Sequence, residues 1–70
     1  MGRASLRQIY PPPWRVEAVP GGFRVVSSNG FRLAFVYAQE GIARSADPNS
    51  LTPREALTMA KAIAALADDR

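Results

Sequence analysis

From position 14 to position 38 large apolar residues recur at every second position, alternating with polar ones in the first two segments and with smaller apolar ones in the third. Trp14, Val16 and Ala18 interleave with Arg15 and Glu17. Phe23, Val25 and Ser27 interleave with Arg24, Val26 and Ser28, and Phe31, Leu33, Phe35 and Tyr37 with Arg32, Ala34, Val36 and Ala38. A period of two is that of a strand with one face buried. Two turn signals cut the stretch into three. In "VPGG" (Val19 to Gly22) proline presets one central φ and glycine permits a positive φ at the next position. "SSNG" (Ser27 to Gly30) is the second turn. Three strands joined by tight turns make an antiparallel meander. The period then changes. In "LTPREALTMAKAIAALADDR" Thr52 is an N-cap, Pro53 sits at the first helical position, and Glu55 completes a capping box. Leu51 is placed to staple onto Ala56. Helical spacing puts Ala56, Met59, Ala60, Ile63, Leu66 and Ala67 on one stripe, with Arg54, Thr58, Lys61 and Ala65 opposite. Asp68 and Asp69 oppose the helix dipole and should fray that end. The expected fold is α+β: a three-stranded antiparallel meander packed on one face by a C-terminal helix, β-β-β-α.

The register follows from the second turn. A two-residue Asn29-Gly30 loop would pair Arg24 with Phe35 and mix charge with apolar residues on both faces. A three-residue Ser28-Asn29-Gly30 loop, a type I turn with a left-handed Gly30, sets Ser27 opposite Phe31, Val25 opposite Leu33 and Phe23 opposite Phe35. One face then becomes wholly apolar, and burial selects that register. At the first turn Val16 falls opposite Val25 and Ala18 opposite Phe23. The expected inner face is Trp14, Val16, Ala18, Phe23, Val25, Leu33 and Phe35, with Phe31 and Tyr37 at its ends. The outer rows become Glu17–Arg24–Ala34, Arg15–Val26–Arg32 and Val19–Gly22–Val36. Glu17 then neutralises Arg24, leaving Arg15 and Arg32 unmatched.

Residues 1–13 read as a flexible basic, Pro-rich arm, and residues 14–70 as a single domain. The prolines 11–13 serve as a stiff lead-in more readily than as an SH3-type ligand, because basic PxxP framing is absent. Residues 39–51 read as a loop, with "DPNS" a plain turn that lacks EF-hand spacing. Seventy residues support one small core worth roughly 3–5 kcal/mol without a staple. The chain has neither Cys nor His, which removes disulfides, thiolate metal sites and the commonest general base. No glycine-rich loop opens a helix to cradle phosphate. No catalytic, cofactor or metal site is expected, and no small-molecule substrate is indicated. The net charge is +3, but Arg3 and Arg7 lie in the arm; the remaining seven basic residues face six acids. No stretch has signal-peptide character or the roughly 20 apolar residues of a membrane span, and Leu6 breaks the myristoylation pattern. A cytoplasmic protein is expected.

The order "PPW(R)V", "PGGF(R)V", "NG" before "LAFVY", and "LTPREALTMAKAIAAL" resembles a group of short uncharacterised alphaproteobacterial proteins, rhizobia-like genomes included. Those share a Pro-Trp start, a Gly-Gly-aromatic turn, an Asn-Gly turn and a Thr-capped Ala-rich helix. The resemblance covers about residues 11 to 67 and implies a fold but no activity. At the level of fold alone the chain is also similar to AP2-type and integrase N-terminal DNA-binding domains, which read DNA with a free sheet face. On this register the present sheet departs from them in having few basic residues and no exposed aromatic on that face.

Two functions remain. Val26, Ala34 and Val36 are apolar residues on the expected outer face, and the third strand is an apolar edge. They predict a partner interface, in a homodimer or with another protein. Alternatively Arg15, Arg24 and Arg32, with the basic arm, contact nucleic acid weakly. The first reading is preferred.

Overall fold

The computed structural model describes residues 6–68. The element order is α1 (Leu6–Ile9), β1 (Arg15–Val19), β2 (Gly22–Val26), β3 (Arg32–Tyr37), α2 (Gly41–Ala46) and α3 (Pro53–Ala65), the last tightening into a 3-10 turn over Leu66–Asp68. The strands form one antiparallel sheet in the order β1-β2-β3. The β-β-β-α arrangement is therefore the fold, with two short helical segments added. One of these, α2, replaces part of the expected loop at 39–51; nothing in its six residues alternates, so periodicity could not reveal it.

Both hairpin turns close as the residues require. Gly21 takes φ +86° after Pro20, and the β1–β2 register sets Val16 opposite Val25 and Ala18 opposite Phe23. In the second turn Gly30 N–H donates to Ser27 O (3.0 Å) and Ser27 N–H to Phe31 O (2.9 Å). Gly30 takes φ +92°. This is the three-residue loop with a left-handed glycine. The Ser27 side chain, fully buried, reinforces it: Oγ accepts from Phe31 N–H (3.1 Å) and donates to Asn29 Oδ1.

The register of β3 then departs from expectation. Val26 opposes Arg32 as the turn dictates, but Val25 opposes Ala34, and a bulge accommodates Leu33. Beyond that point every β3 side chain changes face. Phe23 meets Val36, Arg24 meets Phe35 and Gly22 meets Tyr37. The inner face therefore receives Ala34, Val36 and Ala38 in place of Leu33 and Phe35. The buried cluster is Val25, Val36, Ala56 and Ala60, with Trp14, Val16, Phe23, Ala34, Ala38, Leu51 and Ile63 against it.

The helix explains the exchange. Its capping box forms as expected: Glu55 N–H donates to Thr52 Oγ1 (3.2 Å) and Thr52 N–H to Glu55 Oε1 (2.9 Å). It turns Ala56 and Ala60 fully into the core, with Ala67 buried just past its end. Met59 and Leu66, expected on this stripe, are instead 48% and 61% exposed. An alanine face brings the helix close to a sheet that already carries Trp14 and Phe23, and small residues from β3 fit the remaining space. Leu33 and Phe35 there would overpack it.

Further contacts fix the ends. Trp14 Nε1–H donates to Tyr10 O (2.7 Å), Ser28 N–H to Pro11 O (3.1 Å) and Asn29 Nδ2–H to Ile9 O (3.3 Å). The last residues of the supposed arm thus bond to the core tryptophan and the second turn. Arg3 and the Arg7 side chain lie outside the described residues. After α2, Ser50 N–H and Oγ–H both donate to Asp47 O (3.0 and 2.7 Å), which closes the "DPNS" turn.

Gly22 is required by close approach: a Cβ on it would lie 2.1 Å from the Val36 carbonyl oxygen. Gly30 has open space around it and is required only for its φ. In urea titrations Gly22→Ala is expected to cost about 3 kcal/mol, from backbone that cannot move aside. Gly30→Ala should cost about 1–2 kcal/mol, from left-handed strain. The reverse ranking would show that β3 shifts to admit the methyl group. Thr52→Ala should lower stability by about 1 kcal/mol through loss of the cap, read in the same titrations.

Candidate binding face of the sheet

One side of the sheet is covered by α3; the other faces away from the core. The register gives its three rows: Arg15–Val26–Arg32, Glu17–Arg24–Phe35 and Val19–Gly22–Tyr37. The bulge at Leu33 delivers two aromatic side chains to this face. Phe35 is 43% and Tyr37 74% exposed, and their rings lie 4.8 Å apart at 45°. Gly22, beside Tyr37, presents no side chain, so the ring has a low neighbour on its sheet side.

The residues singled out from sequence fare differently. Arg15, Arg24 and Arg32 all belong to these rows. Val26 lies between Arg15 and Arg32 but is only 3% exposed. Ala34 and Val36, expected beside it, face the helix instead, and Val36 belongs to the buried cluster. Val26, Ala34 and Val36 therefore do not form a common surface. The apolar exposure of this face is carried by Phe35 and Tyr37. Sequence alternation missed them because β3 is apolar at both parities, so either parity buries an apolar set. The available signal was size: Ala34 and Ala38 match the alanine stripe of α3, whereas Leu33, Phe35 and Tyr37 do not.

Glu17 organises the charge. Its Oε1 accepts from Arg24 Nε–H at 2.7 Å and its Oε2 from Arg15 Nε–H at 3.0 Å. The Arg24 pair is the one the register predicts; the Arg15 pair is additional, so of the three arginines on this face Arg32 alone has no ion pair among the described residues. The hydrogen bond from Arg24 is the largest cause holding the Glu17 carboxyl below its ordinary value; partial desolvation opposes it, and Arg15 adds a second bond. Three guanidinium groups against one carboxylate leave the face positive.

Around the Phe31 end of β3 lies an open groove of about 420 Å³. Tyr10, Trp14, Phe31, Leu33 and Ile63 line it, and Tyr10 meets Phe31 edge-on with centroids 5.5 Å apart. Among the described residues there is no cluster of three metal-ligating side chains, and no helix is long and apolar enough to cross a membrane. No family model matches the chain, and no curated protein or solved structure matches it.

The depressed Glu17 pKa has a testable sign. Because the folded value lies below the unfolded one, the stability it carries is complete above the unfolded pKa. It is lost as pH falls through the folded value. In thermal melts from neutral to acid pH, Glu17→Gln should remove the part of the decline that lies below the ordinary carboxylate range. Parallel curves for both proteins would mean that the two arginines do not discriminate the charged form.

Proposed function

We propose that the protein is a small interaction module that self-associates by pairing β3 of one copy with β3 of a second. One observation carries this reading: the two edges of the sheet are guarded unequally. β1 carries Arg15 and Glu17 within five residues, with Pro13 before it and Pro20 after it. Charges and prolines of this kind block strand addition. β3 is the longer edge, six residues, with Arg32 its only charge, followed by Leu-Ala-Phe-Val-Tyr. Its outward N–H and C=O groups form an open ladder. Antiparallel pairing about a two-fold axis would satisfy both copies with the same segment. The helices would lie together on one side of a six-stranded sheet. A core of this size also gains from burying surface against a second copy.

Sedimentation equilibrium tests it. The wild-type mass should rise from monomer to dimer with concentration. Tyr37→Lys places a charge on the exposed end of β3 and should hold the chain at monomer mass while leaving its circular dichroism unchanged. A wild-type chain that stays monomeric at high concentration overturns the reading.

A further inference from the structure

We infer that the outer face of the sheet binds single-stranded nucleic acid, with Phe35 and Tyr37 as a stacking platform and Arg24 and Arg32 as phosphate contacts. The proposal rests on one chain and needs no pairing of β3, because strand addition at an edge leaves this face free.

The argument begins with what is exposed. Two aromatic rings stand side by side on β3, their centroids 4.8 Å apart and their planes at 45°, and both residues are exposed to solvent. The pair forms one aromatic surface on which an unpaired base can stack. Stacking of this kind accepts any base, because each has a π-face. Next to the rings the same face carries cations. Arg24 lies directly across from Phe35, and Arg32 lies on the same strand one row further, opposite Val26. Arg32 has no anionic partner among the described residues. Arg24 is held by Glu17 through Nε, which fixes the guanidinium on the face and leaves its terminal nitrogens to donate.

The charge selects the occupant. A neutral apolar partner would have to desolvate these arginines, whereas a polyanion with planar groups satisfies both features at once. The shape selects the strand state. Base faces are accessible for stacking only when bases are unpaired, and the exposed groups next to the arginines are rings that stack rather than polar groups that read base edges in a duplex.

The test is fluorescence anisotropy of a labelled oligothymidylate of about twelve nucleotides, titrated with the full chain beside a duplex of equal length. The single strand is expected to bind at least about tenfold more tightly than the duplex. Two or three phosphate contacts predict a loss of about tenfold between roughly 50 and 200 mM salt. Phe35→Ala with Tyr37→Ala should weaken binding at least about tenfold, and Phe35→Trp with Tyr37→Trp should restore it. Arg32→Ala should reduce the logarithmic salt slope by about 0.7. Circular dichroism of each variant checks the fold, which exposed positions should not disturb. Equal affinity for duplex and single strand would reduce the effect to charge alone and overturn the proposal. So would an alanine double variant that binds like the wild type, or no binding at about 100 μM protein in low salt.

Discussion

The close approach of an alanine helix face to the sheet sets most of this structure. Ala56 and Ala60 reach the core with no exposed surface, and Val25 meets them from the central strand. At that separation the sheet can supply few large side chains. Trp14 and Phe23 take the available volume, and β3 must contribute Ala34, Val36 and Ala38. The turn at Ser27–Gly30 delivers the opposite parity, so a residue has to be absorbed, and the bulge at Leu33 absorbs it. The aromatic pair on the outer face is the by-product of that adjustment. A packing demand on one side of the sheet thus determines the chemistry of the other.

Much of this is written in the sequence and some of it is not. The element order, the position of both turns, the capping box and the β1–β2 register follow from local chemistry: Pro20-Gly21 and Asn29-Gly30 mark turns, and Thr52-x-x-Glu55 marks a helix start. The Glu17–Arg24 pair follows from the same register. The parity of β3 does not, because Leu33 to Tyr37 is apolar throughout, and a hydrophobic pattern cannot choose between two apolar sets. The rotation of α3 escapes for a similar reason: Met59 and Leu66 are more hydrophobic than the alanines beside them, yet volume decides which face fits. Short α2 carries no periodicity at all. In each case the missing information is steric and belongs to the partner element.

Glu17 occupies an unusual position on the outer face. One carboxylate engages two arginines from two strands, so it ties the sheet together and also keeps the guanidinium planes from dispersing. Removing it would raise the positive charge of the face while loosening the groups that carry it. Affinity for an anion and order of the site therefore pull in opposite directions at this residue, in proportion to how much each arginine gains from a fixed orientation.

The two tight turns have a kinetic consequence. Every strand joins a sequence neighbour, so both hairpins close over loops of two or three residues and can form in about 1–10 μs. The helix begins only after the fifteen residues that separate it from β3, and it docks chiefly on the central strand. Its docking closes a longer loop than either hairpin, and its alanine face is what fits only one parity of β3. Before α3 arrives, a hairpin with either set of β3 residues inward is sterically permitted. The register of β3 thus depends on an element outside the hairpin that carries it.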